Sequence, residues 1–332
     1  MIAGIAESLI PKGPDDLLGP ALMARLDRLD MLSRKLLSGT MPGERRSKRR
    51  GRSVEFDDFR SYVPGDDLRH IDWNIYARLD KLIIKLFRAE EDLALNILVD
   101  TSRSMDVGAP GKLLYSLQLA FALAYIGLVN QNRVSVATFA PQRRADQPVL
   151  SRLSPRRGRG GVHEIGTHLI EAMKRARQDA PAGSVNPAAA FNQAMRVFSE
   201  SIGSRGVSIV LSDYLSPQSI EPGLASLAAR TMAGDTDTWC VQVLSPQELD
   251  PESARGQGFV GDVRLTDVES QDASEVTVTP EIIAKYRERF DAAREQLSHQ
   301  CAAKGIAYLM VPTNTDLTEL MTETVRRRGL VG

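Results

Sequence analysis

From residue 93 onward, short apolar runs alternate with longer stretches of helical spacing. The pattern predicts strands over 93–99, 133–140, 206–212, 237–244 and 306–311. It predicts helices over 111–131, 164–178, 187–202, 221–233, 280–303 and 316–328. A short strand over 148–153 and a Gly/Arg loop over 154–161 complete the middle of the chain. Such alternation points to an α/β fold: a mainly parallel sheet with helices on both faces and right-handed crossovers. Residues 245–279 interrupt it, and Val263-Arg-Leu-Thr-Asp and Glu275-Val-Thr-Val-Thr alternate with period two. That insert predicts a hairpin decorating one sheet edge. No internal repeat is present.

The first 92 residues follow other rules. Leu17, Leu18, Leu22, Leu26, Leu29, Leu32 and Leu36 fall on roughly one helical face, predicting a helix over 15–38 that stops at Gly39. It is expected to dock on the main domain or on a partner. Residues 43–53 set six basic residues against one acid, without interleaved aromatics. That composition is a solvated loop or a docking patch in which Arg45, Arg46, Arg49 and Arg50 meet an acidic protein surface. Stacking on single-stranded nucleic acid needs aromatics, so none is expected. Residues 54–92 are polar, aromatic and dense in paired charges, with a turn at Pro64-Gly65-Asp66-Asp67 and a strand from Leu82 to Phe87. Asp66, Asp67, Arg69, Asp72 and Trp73 are expected to organise this β-rich segment and to be available for docking a partner. The expected division is a helical segment over 1–42, a charged β-rich segment over 43–92, and an α/β domain over 93–332.

Composition narrows the function classes. Of 332 residues, 42 are Lys or Arg and 42 are Asp or Glu, so no global charge favours nucleic acid or an anionic membrane. Cys240 and Cys301 form no metal-ligand pair, and a reduced, buried pair fits a cytosolic protein. Residues 1–11 lack the basic region of a signal peptide. The apolar stretch over 113–129 is about as long as the shortest spanning helices but carries Ser116 and Gln118. Its place between two strands marks it as the buried first helix of the sheet rather than a membrane span.

The chemistry concentrates at residues 95–105, Leu-Asn-Ile-Leu-Val-Asp-Thr-Ser-Arg-Ser-Met. A strand delivers Asp100 to its carboxyl end, and Ser102 and Ser104 follow at alternate positions. Open α/β sheets place ligand crevices there. All three side chains offer oxygen, which suits a hard divalent cation, Mg²⁺ or Mn²⁺. A second junction, Val207-Ser-Ile-Val-Leu-Ser-Asp, carries Asp213 just past a strand. If the two strands are neighbours, Asp100 and Asp213 share one crevice, and two carboxylates there repel unless a cation lies between them. The alternative role for Ser102 and Ser104 is capping of the helix that follows.

Asp100-Thr-Ser-Arg-Ser resembles the D-x-S-x-S signature of von Willebrand factor A-like domains, with Asp213 where that family's later Asp stands. The resemblance implies a metal-ion-dependent adhesion site. Ser102 and Ser104 would touch the metal, and Asp100 and Asp213 would act largely through bound water. A carboxylate from a protein ligand would take the open position. The family's loop threonine has no counterpart in Ala182-Gly-Ser-Val-Asn, where Ser184 is the nearest oxygen donor. A longer block also carries a resemblance: Gly51-Arg-Ser-Val-Glu-Phe, Arg60-Ser-Tyr-Val-Pro-Gly-Asp-Asp-Leu-Arg-His-Ile-Asp-Trp, Ala77-Arg and Lys85-Leu-Phe-Arg-Ala-Glu. It resembles the hallmark of the bacterial domain-of-unknown-function 58 family. Members of that family resemble partners of MoxR-type AAA+ ATPases in chaperone-like assembly or cofactor insertion. Many carry N-terminal membrane helices; none is evident here, and a cytoplasmic form is expected.

Rival motifs are weaker. Gly158-Arg-Gly-Gly-Val-His lacks the phosphate-loop pattern. His163 and His168, five apart, diverge on a helix. No nucleophile elbow appears. An aspartyl-phosphate phosphotransferase built on Asp100 needs a second acid where Ser102 stands. The expectation is a non-enzymatic interaction module that serves an AAA+ ATPase and a client protein, with a structural scaffold bearing a degenerate site as the alternative.

Overall fold

The computed structural model describes residues 10–31, 54–64, 66, 68–89, 93–141, 149–178, 186–216, 218–251, 261–266 and 273–332. The chain forms two compact units, residues 39–92 and the remainder.

In the smaller unit, β1 (Val54–Ser61) pairs antiparallel with β2 (Ile83–Ala89) through a bulge between Phe56 and Asp58. A helix, Trp73–Leu79, sits in the connection. The carboxylate of Asp72 caps it by accepting from the amides of Asn74 and Ile75, at 2.9 and 3.2 Å. β2 begins one residue later than the spacing predicts, and β1 was hidden by its charges.

The larger unit is built on a six-stranded sheet. Its strands are β3 (Ala94–Asp100), β4 (Arg133–Phe139), β5 (Ser151–Arg152), β6 (Gly206–Ser212), β7 (Thr236–Leu244) and β10 (Ala307–Pro312). Their spatial order is β10-β7-β6-β3-β4-β5, all parallel except the edge strand β5. This is the expected α/β, Rossmann-like architecture. The chain winds outward from β3 through β4 and β5, then returns to place β6 on the other side of β3. The strand order therefore reverses beside β3, where open sheets form a crevice at the carboxyl ends. The insert forms a hairpin of β8 (Gly261–Thr266) with β9 (Ala273–Val278).

Side chains leave alternate faces of these strands. Leu95, Ile97, Val99, Val134, Val136, Val207, Ile209 and Leu211 enter one core with helices Lys112–Val129 and Gly161–Gln178. Leu98, Phe139, Val210 and Cys240 enter another with helices Pro187–Ser201, Glu221–Met232 and Pro280–Ala303. Lys112–Val129 has the length and apolarity to cross a membrane, yet 83% of it is buried within the domain. Gly206 starts β6 against β3 so closely that a Cβ there would lie 1.9 Å from the Ala94 carbonyl oxygen. Cys240 and Cys301 are free and buried.

Two helices depart from the periodic reading. The leucine stripe over 15–38 yields a 3₁₀ turn, Pro14–Asp16, and a helix confined to Pro20–Leu26. Pro20 has no amide hydrogen to continue a helix from Gly19, so the longer helix cannot form. Leu17, Leu18, Leu26 and Leu29 are still buried in the main core. Met31 bridges to Val331, while Asp30 and Gly332 exchange backbone hydrogen bonds. Residues 32–38 and the basic stretch over 43–53 lie outside the described residues. At the other end, the helix expected over 316–328 runs from Leu317–Glu319 into a π-helical turn, Leu320–Val325.

Candidate metal centre

β3 and β6 pair in register from Ala94↔Gly206 to Val99↔Leu211. Carried one step further, that register brings Asp100 level with Ser212. The Ser212 hydroxyl donates to Asp100 Oδ2 at 2.7 Å. The chain then turns back on itself. The Ser102 amide donates to Asp100 Oδ1 at 2.9 Å, while Thr101 anchors the turn to the Phe139 carbonyl through its amide and its hydroxyl. Fully buried Met105 pins the turn from below.

Ser102 and Ser104 follow as read from the sequence, with hydroxyls 3.0 Å apart. Ser102 occupies the N-cap of the 3₁₀ turn Arg103–Asp106, but its side chain makes no capping bond. The capping role is thus not taken up. The two hydroxyls share a hydrogen bond at 3.0 Å, and the same ~3 Å would suit two adjacent ligands of an octahedral Mg²⁺ at ~2.1 Å.

Asp213 stands across the crevice, 3% exposed. Its Oδ1 accepts from the Leu215 amide at 3.1 Å, and its Oδ2 receives Lys112 Nζ at 2.9 Å. Tyr214, the next residue, has φ of +53°, a left-handed conformation that a bulky side chain seldom adopts. Its hydroxyl donates to the Val210 carbonyl at 2.9 Å and its ring meets Phe191 edge-on, so the turn is held from inside the core. Strain of this kind, of order 1–3 kcal/mol, persists only when neighbours hold it. Gln242 on β7 donates to the Asp213 carbonyl at 2.8 Å and receives the Tyr308 hydroxyl at 2.5 Å.

Three residues that complete this end of the sheet escaped the sequence reading: Ser212, Lys112 and Glu248. Lys112 opens the first core helix and is 1% exposed. Its ammonium bridges Asp213 and Glu248. Glu248 belongs to a capping box in which its Oε2 accepts from the Ser245 amide and hydroxyl, at 2.7 and 2.9 Å. The one signal was available in principle: Lys112 is the sole charged residue in the run from 112 to 129.

The electrostatics are uneven. Burial, then the nearby Asp213 charge, push the Asp100 carboxyl up from 3.8 to about 7, against hydrogen bonds from Ser102 and Ser212. Burial works against the Lys112 ammonium, but Asp213 and Glu248 outweigh it and hold its pKa above the ordinary value. Three carboxylates share one ammonium, a deficit of two positive charges when all are ionised. The donor set fits a hard divalent cation: two hydroxyl oxygens close together beside a carboxylate for which the described residues supply no ion pair. Among the described residues no three His, Cys, Asp or Glu side chains gather as a metal cluster. Any such site therefore depends on Ser102 and Ser104. Ser184 lies outside the described residues.

The docking candidates separate. Asp66 holds Arg60 through both oxygens, at 2.8 and 2.7 Å, and accepts from the Val63 amide. Asp72 is the helix cap already described. Both have structural work. Arg69 is exposed. Trp73 is 59% exposed and stands edge-on to Tyr76; Phe59, Leu68, Leu79 and Leu82 of the same unit are also exposed. Asp67, Arg45, Arg46, Arg49 and Arg50 lie outside the described residues.

Comparison with known proteins gives a consistent picture. A family model described as protein of unknown function DUF58 matches residues 58–300. Uncharacterized proteins of Mycobacterium tuberculosis and Mycobacterium bovis are 26% identical over 318 residues, spanning 95% of this chain and 92% of theirs. Among solved structures, an aerotolerance-related membrane protein from Bacteroides fragilis is similar at 15% identity. It covers 71% of this chain and 97% of its own, with a TM-score of 0.38. A mutant of the PilB minor pilin from Streptococcus sanguinis covers 75% and 65% at 12% identity, with a TM-score of 0.36.

Proposed function

Because this chain belongs to the family described as protein of unknown function DUF58, we propose a role that rests on its own sheet crevice: a non-enzymatic, divalent-cation-dependent interaction module. Its larger unit is proposed to be a von Willebrand factor A-like domain. The observation that carries the reading is the meeting of Asp100, Ser102, Ser104 and Asp213 where the strand order reverses, around a buried carboxyl that is given no ion pair by the described residues. Ser102, Ser104 and Asp100 would hold Mg²⁺ or Mn²⁺, with Asp213 behind them. Bound there, the cation would present a positive position to a carboxylate of a protein ligand. Lys112 and Glu248 would fix the Asp213 side of the crevice.

The partner in this proposal is a MoxR-type AAA+ ATPase, with a client protein as the second guest. Support comes from the resemblance of the block over 51–90 and from the exposed Trp73–Tyr76 pair, since aromatics buried on binding dominate interface energetics. The decisive experiment captures the ATPase on the intact chain with Mg²⁺ or with chelator, for the native protein, Asp100→Ala and Trp73→Ala. Capture is expected to need the cation and Asp100, and to weaken at least tenfold with Trp73→Ala. Equal capture in chelator and with Asp100→Ala would overturn the cation-dependent reading.

One observation favours a second reading, a metal-free scaffold. Lys112 already supplies Asp213 with a positive charge. Calorimetry separates the two, because the scaffold reading requires no heat of Mg²⁺ or Mn²⁺ binding.

A further inference from the structure

Four hydrogen bonds cross the sheet from β10 to β3, and all of them point the same way. The Tyr308 hydroxyl on β10 donates to Gln242 Oε1 on β7 at 2.5 Å. Gln242 Nε2 donates to the Asp213 carbonyl at 2.8 Å. The N–H of the same peptide unit, that of Tyr214, donates to Ser212 Oγ at 3.1 Å. The Ser212 hydroxyl then donates to Asp100 Oδ2 at 2.7 Å. β10, β7, β6 and β3 are consecutive neighbours, so the chain of bonds steps from strand to strand without a gap.

Chemistry fixes its direction. A backbone carbonyl can only accept, so Gln242 must turn its NH₂ group to Asp213. That leaves its oxygen facing Tyr308, which must donate. Burial pushes the Tyr308 hydroxyl up to about 12, so it keeps its proton at neutral pH. At the far end an ionised carboxylate can only accept, which aims the Ser212 hydroxyl hydrogen at Asp100. Gln242 is 2% exposed and Ser212 1%, so solvent does not compete for these groups. Donors aligned head to tail in a dry interior polarise one another. The middle link is the peptide between Asp213 and Tyr214. Gln242 holds its carbonyl and Ser212 its N–H, and these two points set the plane of that peptide and with it the positive φ of Tyr214.

We propose that this chain of bonds is a relay, with Tyr308 as a remote positioning residue for the crevice. Its hydroxyl orients Gln242, Gln242 fixes the Asp213–Tyr214 peptide, and that peptide holds Ser212 against Asp100. The consequence for ligand binding rests on the cation-dependent reading above: a crevice already held in place loses less freedom when the ion arrives.

The test uses the intact chain carrying Tyr308→Phe, which removes only a hydroxyl, Gln242→Met, which keeps the length and removes the amide, or both. Amide hydrogen exchange in chelator, read by mass spectrometry on peptides spanning Tyr214 and Leu215, reports the relay without a cation. Tyr308→Phe is expected to speed exchange there about tenfold, with native rates in the helix Gly161–Gln178. In calorimetry the Mg²⁺ dissociation constant is expected to rise about fivefold for Tyr308→Phe and about tenfold for Gln242→Met. The double variant is expected to match Gln242→Met, because Tyr308 has no path to the crevice once the amide is gone; two separate structural losses would multiply. Tyr115→Phe removes a hydroxyl bonded to the Thr315 carbonyl, outside the relay, and is expected to leave both readouts at native values. If Gln242→Met does not fold, Tyr308→Phe against Tyr115→Phe carries the comparison. Native exchange in Tyr308→Phe, native Mg²⁺ affinity in that variant, or multiplying effects in the double variant overturns the proposal. Faster exchange in Tyr308→Phe with no heat of cation binding to the native chain overturns the cation-dependent reading and supports the relay, so the two failures are distinguishable.

Discussion

Replacing Asp100 with Asn removes a charge that the apo crevice holds at a cost. The folded carboxyl titrates at about 7, against 3.8 for the free side chain, because it is buried and faces Asp213. A raised carboxyl pKa means that the folded state binds a proton more tightly than the unfolded chain. Stability is therefore full below pH ~4 and falls as the pH rises toward 7. At ~1.36 kcal/mol for each pH unit of separation, the loss is on the order of 4 kcal/mol, complete above neutrality. Asn keeps the shape and cannot ionise, and it can donate to Ser212 where Asp100 accepts. In chelator at pH 8, Asp100→Asn should melt roughly 8–16 °C above the native chain, at ~2–4 °C per kcal/mol for a domain of this size. Mg²⁺ should close most of that gap. Cation at a hundred times its dissociation constant adds ~2.7 kcal/mol to the native chain and nothing to the variant. The assay is thermal unfolding by circular dichroism from pH 4 to 8, with chelator or Mg²⁺. The reasoning is refuted if, in chelator, the two proteins share one pH profile or Asp100→Asn is the less stable at pH 8.

Further outcomes follow from the same contacts. Lys112→Met should lower stability by ~3–5 kcal/mol in urea unfolding, since it strands the buried Asp213 and Glu248 without their ammonium. Adding Asp213→Asn should recover part of that loss, and strict additivity of the two changes would show that the pair is not coupled. Ser102→Ala and Ser104→Ala should each raise the Mg²⁺ dissociation constant about tenfold, ~1.4 kcal/mol, in calorimetry. Burial, then Arg175, lower the pKa of His168, so its contribution is full above pH ~6.5 and is lost as the pH falls below that. In the Asp100→Asn background, His168→Gln should flatten the acid limb of the stability profile between pH 6.5 and 5.

The parts of the fold that were legible are those where local pattern and burial agree. β3, β6 and β7 are buried along their whole length, so each reads as a short segment with an apolar majority bounded by turns, despite Asn96, Ser208 and Gln242 within them. The stripe from Leu17 to Leu36 misled because spacing counts side chains and not backbone donors, and Pro20 resets the helix. β1 was hidden because Glu55, Asp57, Asp58 and Arg60 break the apolar signal of a two-stranded unit with little core. At the crevice, Asp100, Ser102 and Ser104 were legible together because they are local, and Asp213 because it repeats the same strand-end grammar. Lys112 and Glu248 were not. Each reads as an ordinary helix-end charge until the sheet brings the ends of β3, β6 and β7 side by side.

That crevice joins the local Asp100–Ser104 turn to distant parts of the chain. Ser212 reaches Asp100 across 112 residues, and Lys112 reaches Asp213 across 101 and Glu248 across 136. Contacts of such separation form late, because the loops they close must first be brought together. During synthesis, a chain that stops before residue 248 has the serines and Asp100 but lacks part of the opposing wall. Occupancy of the crevice then reports that the sheet has closed. A ligand that binds only the closed sheet acts on the rate of opening more than on the rate of folding. The site is thereby a lock fitted after assembly, and not a nucleus around which assembly begins.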